Sequence, residues 1–471
     1  DTLIRFDQDG SAGEEKSGII VAVLENVTAS ELIADNFNPN FPPDGSKAES
    51  KTIEGTYLSD TLVGGFGDDT IKGLEGNDTI DGQAGSDVIY GGEGNDIIEG
   101  NFGNDEIYGD SGNDTITDDS GSNILDGGSG DDNLTSRSLS GDHTLKGGYG
   151  RDTLTATGKK VTLEGGDEND NIYAYGYIDK EGSRSYLEDG EATISGGGGD
   201  DYVNVEYYKT INAEGGEGND NYNLNNIKGE ANVDLGNGDD YLSSYNGDNL
   251  SIKGGEGKDN VRVNYGVKVE IEGGTDDDTL SFNDFLSGTI SGEKGDDQLT
   301  ATFSYDIWSN RSSRDKNDNY IFDETQRYVL EGGEGDDILK IRGNNTYLDR
   351  GGNEATLKGG EGDDIIEITD NNAGTTSGTE GNKFGIVKAV IEGGEGKDKI
   401  TVSGGLDISI TTGADSDTVA LTAHQFRTLK EGPRIVKNDD GSSNIVDAKP
   451  IYITDFTTGE SGDILDYGDL L

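Results

Sequence analysis

The chain contains no cysteine and no methionine, and its 471 residues include only 2 histidines. Without cysteine there is no disulfide, no thiolate zinc site and no cysteine nucleophile. His143 and His424 are too far apart in the sequence to predict a histidine-rich metal site, and both are expected on the surface. The sequence therefore predicts neither a cysteine-based site nor a histidine-rich metal site.

Positive charge and apolar side chains are also scarce. Lys and Arg number 36 against 95 Asp and Glu, so the formal net charge is -59, and hydrophobic residues make up 30% of the chain. Like charges repel, so nucleic acid and anionic membranes are not expected partners. No apolar run approaches the ~18 residues of a membrane span. A chain this acidic should be disordered unless a repeated thin core or bound cations compensate.

Glycine is abundant instead, at 77 residues, and it recurs in a nonapeptide pattern G-G-x-G-x-D-x-U-x, where U is apolar. Glycine at positions one, two and four permits positive φ angles and a tight turn. Aspartate at position six supplies a hard carboxylate oxygen of the kind that calcium prefers. Position eight is a single inward-facing apolar residue on a short strand. After a degenerate copy at 55–63, residues 64–117 hold six consecutive copies: GGFGDDTIK, GLEGNDTID, GQAGSDVIY, GGEGNDIIE, GNFGNDEIY and GDSGNDTIT.

This nonapeptide resembles the repeat of the RTX (repeats-in-toxin) family. The resemblance implies an all-β fold, a parallel β-roll or β-solenoid of 18–20-residue coils with calcium ions between stacked turns. Two nonapeptides make one coil of 18 residues with a turn at each edge, and repeats 18 residues apart share an ion. The implied cofactor is therefore Ca²⁺.

After residue 117 the position-six aspartate recurs most often at intervals of 19 or 20 residues, about one per coil. This spacing predicts calcium turns along one edge and ordinary, metal-free turns along the other. One ion between successive intact turns predicts roughly 15 calcium ions. A short second row consists of Asp69, Asp87 and Asp105, with Asn123 as its degenerate end. Together with the backbone carbonyls of the glycine-rich turns, the candidate ligands are Asp60, Asp69, Asp78, Asp87, Asp96, Asp105, Asp114, Asp132, Asp152, Asp170, Asp201, Asp220, Asp240, Asp259, Asp278, Asp297, Asp337, Asp364, Asp398 and Asp417.

Long intervals between these aspartates indicate irregular segments. The 40 residues from Asp297 to Asp337 include Asp318 in a copy of the NDNY sequence at 219–222, which predicts a degenerate coil in register. Other long intervals predict insertions on the metal-free edge, near 174–191, 341–353 and 368–387. Such insertions either mark a binding face or occur where no ion must be shared.

Four regions are predicted. Residues 1–50 form a non-repeat β cap or the end of a preceding module, and residues 51–126 form the tandem β-roll with calcium turns on both edges. Residues 127–420 form the single-calcium-edge β-solenoid that carries the insertions, and residues 421–471 form a C-terminal cap. This last region includes a predicted short helix at 421–430, and its tail resembles the segment that follows the repeats in type I-secreted adhesins.

Tyrosine is frequent, with 21 residues. A tyrosine-lined face beside Asn and Asp would stack on sugars, or the rings simply add apolar area to thin strands. The residues that bunch around the first insertion are Tyr173, Tyr175, Tyr177, Tyr186, Tyr202, Tyr207, Tyr208 and Tyr222.

The sequence contains no G-x-S-x-G, H-E-x-x-H or Walker motif, and we expect no enzyme activity and no catalytic residue. We expect a secreted, calcium-folded structural or adhesive RTX segment of a bacterial cell-surface protein, either an adhesin or a surface-layer protein. Its expected partners are calcium and either cell-surface polysaccharide or further copies of itself, without nucleic acid and without membrane insertion by this segment. The alternative is the repeat module of a secreted lipase, protease or polysaccharide-modifying enzyme whose catalytic domain lies outside this chain.

Overall fold

The computed structural model describes residues 2–6, 19–24, 49–180, 183–187, 189–303, 326–343, 353–370, 386–403, 407–421, 434–437, 443–446, 452–454 and 463–466. Residues 1–167 and 168–471 form two compact units, which we call unit 1 and unit 2. Within the described ranges every regular element is a β-strand, which confirms the all-β prediction. Across the same ranges, no helix has the length and apolar character needed to span a membrane.

Unit 1 is built from short strands separated by the glycine-rich turns. The strands are β1 Thr2–Phe6, β2 Ile19–Leu24, β3 Thr52–Glu54, β4 Thr61–Phe66, β5 Thr70–Glu75, β6 Thr79–Ala84, β7 Val88–Glu93, β8 Ile97–Glu99, β9 Glu106–Ser111, β10 Thr115–Asp118, β11 Ile124–Ser129, β12 Asn133–Arg137, β13 Asp142–Tyr149, β14 Thr153–Thr157 and β15 Lys160–Asp167.

The strands of unit 1 stack in two parallel rows. The odd-numbered strands β3 to β15 pair one with the next, and the even-numbered strands β4 to β14 do the same. Paired residues lie one coil apart in the tandem block, as with Ile89 of β7 and Ile107 of β9. This pairing is the parallel β-solenoid that the repeat predicts. In contrast, β1 and β2 form an antiparallel pair.

The core of unit 1 consists of the position-eight residues. Ile71, Ile89 and Ile107 from one row and Ile80 and Ile98 from the other are at most 1% exposed. Isoleucine suits this position because its branched Cβ packs well on a pleated strand. Each strand buries very few side chains, so the apolar core is thin.

Unit 2 has longer strands. They are β16 Asn171–Tyr175, β17 Tyr177–Lys180, β18 Ser183–Tyr186, β19 Glu191–Gly198, β20 Tyr202–Glu206, β21 Thr210–Glu217, β22 Asn221–Asn237, β23 Tyr241–Glu256, β24 Asn260–Thr275, β25 Thr279–Asn283, β26 Ser287–Lys294, β27 Gln298–Phe303, β28 Arg327–Glu334, β29 Ile338–Gly343, β30 Asn353–Glu361, β31 Ile365–Asp370, β32 Ile386–Glu395, β33 Lys399–Ser403, β34 Asp407–Gly413, β35 Thr418–Leu421, β36 Arg434–Lys437, β37 Ser443–Val446, β38 Tyr452–Thr454 and β39 Ile464–Asp466.

On one edge of unit 2 the glycine turn is replaced by a bend. Strands β22, β23 and β24 each continue through this edge and pair in parallel on both sides of it. The bend is made by a single residue with a left-handed backbone, such as Asn226 at φ 58° or Asn246 at φ 65°. Asparagine tolerates this conformation better than most residues, because its short polar side chain bonds locally. This edge therefore turns without the glycine-and-aspartate signature.

The predicted coil around Asp318 is wrong. Asp318 itself lies outside the described residues, but β26 pairs directly with β28 and β27 with β29. The amide of Asp297 also donates to Asp337 Oδ1 at 2.8 Å. The place of the next coil is therefore taken by residues 327–343, and the NDNY similarity reflects local sequence rather than register.

Other irregular segments are partly described. Strands β17 and β18 form an antiparallel hairpin within the predicted insertion at 174–191. In the other two predicted insertions, residues 344–352 and 371–385 lie outside the described residues, as does 422–430 of the predicted helix. Near the C-terminus, β38 pairs with β34 and β39 with β35, so both rows of unit 2 gain one more parallel strand.

Candidate metal sites

Each turn of the repeat surrounds a small space with oxygen atoms. At the turn of Asp96, a Cβ added to Gly91 would lie 2.4 Å from Asp96 Oδ2 and 2.8 Å from the carbonyl oxygen of Gly109, one coil further on. Gly92 and Gly94, at positions two and four, have φ angles of 112° and 133°. The expectation that position one also needs a positive φ is wrong, because Gly91 is not among the positive-φ residues. Glycine is needed at position one for the space beside it.

A hydrogen-bond ladder aligns the aspartates along each edge. The amide of Asp78 donates to Asp96 Oδ1 at 2.7 Å, and the amide of Asp96 donates to Asp114 Oδ1 at 2.8 Å. Unit 2 repeats this contact, for example from Asp259 to Asp278 at 2.8 Å. One oxygen of each carboxylate is thus held by the preceding coil, and the other points into the oxygen-lined space.

These second oxygens are buried and have no hydrogen-bond partner in the structure. The aspartates that carry them are at most 2% exposed, whereas a buried unpaired carboxylate oxygen is costly. The atoms concerned are the Oδ2 of Asp69, Asp78, Asp87, Asp96, Asp105, Asp114, Asp132, Asp201, Asp220, Asp240, Asp259, Asp278, Asp297, Asp337, Asp364, Asp398 and Asp417.

The pKa values of the aspartates also indicate that these carboxylates lack a compensating positive charge. Burial raises the pKa of Asp87 and Asp114 to about 7, and that of Asp278 to about 8. Neighbouring aspartates in the same column add to the shift. A cation placed among these oxygens would supply the missing partner for each Oδ2 and neutralise the repulsion along the column.

The donor set fits calcium. Within the described part of the chain, no three or more His, Cys, Asp or Glu side chains converge as a metal cluster. A typical turn instead combines one carboxylate with a backbone carbonyl oxygen, as at Gly332, where Asp337 Oδ2 and the carbonyl oxygen of Gly359 border the space beside the glycine. Hard oxygen donors without nitrogen or sulfur suit calcium rather than zinc or copper.

The structure places the predicted ligands in columns. In unit 1 one edge carries Asp60, Asp78, Asp96, Asp114, Asp132 and Asp152, and the other carries Asp69, Asp87 and Asp105. Unit 2 carries one column of Asp170, Asp201, Asp220, Asp240, Asp259, Asp278, Asp297, Asp337, Asp364, Asp398 and Asp417.

Asp60 differs from the other predicted ligands. It is only half-buried, and its Oδ2 accepts hydrogen bonds from the amide of Thr56 at 2.6 Å and from Thr56 Oγ1 at 2.9 Å. Oδ2 of Asp60 is thus already hydrogen-bonded within its own turn. Asp60 begins the first-edge column among the described residues.

Two acidic residues of the columns were missed by the sequence analysis. Asp463 is 8% exposed, and its Oδ1 accepts the amide of Asp417 at 3.1 Å, which adds one rung to the column of unit 2. The signal for it was the sequence GESGDIL at 459–465, which keeps the spacing of glycine, aspartate and apolar residue. Asp118, at the end of the second edge of unit 1, is the other.

His143 is buried rather than on the surface, so that expectation is wrong. It is 2% exposed, and its Nδ1 lies 2.9 Å from Ser136 Oγ while its Nε2 lies 3.2 Å from the Ser138 carbonyl oxygen. Burial lowers the pKa of His143 and favours the neutral ring. The ring fills the core beyond the last turn of the second edge. His424 lies outside the described residues.

Stacked glycine-rich turns with one inward carboxylate each define a calcium-binding β-solenoid. The family model of the RTX calcium-binding nonapeptide repeat, in four copies, matches residues 54–89, 73–107, 81–116, 108–137, 145–176, 189–205 and 350–367. Over these residues the chain therefore carries RTX calcium-binding repeats, which indicate a calcium-binding β-roll segment. RTX repeats are typical of secreted proteins. No curated protein and no solved structure matches the chain significantly.

Proposed function

We propose that this chain is a calcium-folded structural or adhesive segment of a bacterial cell-surface protein, an adhesin or a surface-layer protein, and is not itself an enzyme. The observation that carries the proposal is the row of buried, unpartnered Oδ2 atoms. Each turn leaves a negative charge inside a thin core, so the stacked form depends on the cation. An element that folds only where calcium is abundant suits a role outside the cell.

Without calcium, the repulsion of a chain at -59 opposes the stacked form. The apolar core cannot offset the backbone entropy of ordering, about 1–2 kcal/mol per residue. We therefore expect the chain to be largely unfolded in chelator and to gain β-structure cooperatively with calcium. The midpoint should lie at ~0.1–1 mM, the range of extracellular calcium modules.

A patch of tyrosines on unit 2 supports contact with cell-surface polysaccharide. Tyr173 packs against Tyr175 and Tyr202, with ring centroids 6.3 Å and 5.9 Å apart, and Tyr177 packs against Tyr207 at 5.1 Å. These five rings, which we call the tyrosine patch, are all half-buried. Tyrosine rings with partly exposed faces can stack on sugar rings while their hydroxyls bond in water. Tyr208 and Tyr222 are fully buried and belong to the core instead.

Far-UV circular dichroism tests the calcium-dependent fold. The chain is placed in chelator and titrated with calcium and, separately, with magnesium. Calcium should restore the β-signal, while magnesium should do so poorly because it demands a tighter octahedral geometry. A chelated chain that keeps its full β-signal and melts as it does in calcium would contradict the proposal.

A second experiment tests the surface role. Binding of the calcium-loaded chain to bacterial cell-surface polysaccharide is measured by sedimentation, together with its own self-association. The proposal expects one of the two to occur in calcium and to be lost in chelator. If neither occurs and the gene encodes a catalytic domain next to this segment, the chain is the repeat module of a secreted enzyme.

A further inference from the structure

The second edge of unit 1 ends in a turn that departs from the repeat. Its nonapeptide, residues 118–126, carries Asp118 at position one, where the preceding copies have glycine, and Asn123 at position six, where they have aspartate. Asp118 is the last residue of β10 and is 0% exposed. Its Oδ1 accepts the amide of Ser120 at 3.2 Å, while its Oδ2 has no hydrogen-bond partner.

The Oδ2 of Asp118 points into the same space as the carboxylate of the preceding turn. A Cβ added to Gly100 would lie 2.4 Å from Asp118 Oδ2 and 2.8 Å from Asp105 Oδ2. One coil earlier, a Cβ added to Gly82 would lie 2.6 Å from Asp87 Oδ2 and 3.0 Å from the carbonyl oxygen of Gly100. The side chain of Asp118 thus stands where a regular turn presents a glycine carbonyl.

This space holds two carboxylates in place of one. Asp105 is 2% exposed, and its Oδ2 is also without a hydrogen-bond partner. Two negative charges repel strongly where water is excluded. A positive charge between the two Oδ2 atoms would neutralise the pair.

The next layer does not provide that charge. Asn123 is neutral, its Oδ1 accepts the amide of Asp105 at 3.1 Å, and its Nδ2 donates to the Ser120 carbonyl and to Ser136 Oγ. Ser136 in turn contacts His143, whose pKa is lowered by burial. The layer beyond the pair is therefore a neutral polar network, which closes the column on that side.

We propose that Asp105 and Asp118 form a two-carboxylate calcium site that terminates the second edge and binds more tightly than the regular turns. Oxygen-donor calcium sites gain affinity with the number of charged ligands, over several decades. We expect its dissociation constant to lie roughly tenfold below those of the one-carboxylate turns. This inference rests on calcium binding by the RTX repeats and is independent of the surface role.

Hydrogen–deuterium exchange in saturating calcium tests the site, because the chain stays folded there and the opening of a single turn includes the release of its ion. The amide of Asp105, which donates to Asn123 Oδ1, reports on this turn. Asp118→Asn keeps the size of the side chain but removes its charge, so a tenfold loss of calcium affinity should make this amide exchange about tenfold faster. Asp119→Asn removes the same charge from an exposed neighbour and should leave the exchange rate unchanged.

If Asp118→Asn does not fold in saturating calcium, Asp118→Gly serves in its place, because it restores the glycine of the repeat. Equal protection of the Asp105 amide in the wild type and in a folded Asp118 variant would overturn the inference, as would an equally large loss of protection in Asp119→Asn. Absence of all calcium binding in the wild type would instead contradict the calcium-dependent fold, so the two failures are distinguishable.

Discussion

Replacing Gly91 by alanine should close one calcium site without straining the φ angle of residue 91. The new Cβ would lie 2.4 Å from Asp96 Oδ2 and 2.8 Å from the Gly109 carbonyl, closer than real Cβ atoms approach oxygen or carbon. Gly91 does not adopt a positive φ, so alanine is compatible with the φ angle there. The whole effect therefore arises in the space where we expect the ion.

The free-energy cost of Gly91→Ala has two parts. Forcing one extra carbon into a packed site costs about 1–3 kcal/mol. An ion bound at a hundredfold excess over its dissociation constant stabilises the fold by about 2.7 kcal/mol, which is lost with the site. Together these give roughly 4–6 kcal/mol, or about a thousandfold to ten-thousandfold change in a local opening equilibrium.

Hydrogen–deuterium exchange in saturating calcium measures this opening. The amides of Asp78 and Asp96, which donate along the ladder, should exchange much faster in Gly91→Ala than in the wild type. Gly198→Ala is the matched control, because its added Cβ meets nothing within 4 Å. If the Gly91 variant protects its turn as well as the Gly198 variant protects its own, the space beside position one is not the calcium site.

Four further outcomes are expected. Total bound calcium in saturating conditions should be roughly 15 ions per chain, and a count below about eight would contradict one ion per turn. Ile107→Ala should destabilise the calcium form by about 2–4 kcal/mol in denaturant melts, whereas Ile97→Ala, at a side chain that is 51% exposed, should change it by less than about 0.5 kcal/mol. In chelator, acidification from pH 8 to pH 5 should restore some β-signal: the folded-state pKa values of Asp87 and Asp278 are raised to about 7 and about 8, so their contribution is present at low pH and lost as pH rises through those values. A signal that stays flat over this range would contradict the burial of these groups. The pH dependence that His143 contributes to stability has the opposite sign, because its pKa in the folded state is lowered. Stability in saturating calcium should therefore decrease as the pH falls below about 6.5. His143→Gln should reduce this dependence, which thermal melts of both proteins at about pH 5.5 and about pH 7.5 would check.

The spacing of the repeat predicts most of the fold, because one aspartate and one apolar residue in each nonapeptide determine the register of the strands. Each nonapeptide places one aspartate and one apolar residue, and both must recur in step for the strands to pair. That is why the aspartate columns could be assigned from intervals alone. A long interval between aspartates can be divided into coils in more than one way. The division of the interval from Asp297 to Asp337 at Asp318 was wrong.

The remaining errors concern positions where a residue has a different structural role from the one that its type predicts. Asp118 occupies a glycine position, so a search for position-six aspartates passes over it. His143 looks like a surface histidine in a polar chain, but the edge beyond Asn123 needs a bulky polar ring to fill the core. The sequence could not show that the glycines at positions one and two of the nonapeptide have different roles, because both are the same residue type. The structure shows that position one needs glycine for the space beside it, whereas position two favours glycine for its positive φ.

The amide-to-carboxylate ladder gives each stack a direction. The amide of one aspartate donates to the carboxylate of the following coil, from Asp78 to Asp96, from Asp96 to Asp114 and from Asp259 to Asp278. Each of these carboxylates is therefore oriented by the coil that precedes it in the sequence, so the contacts along a column all run in the same direction.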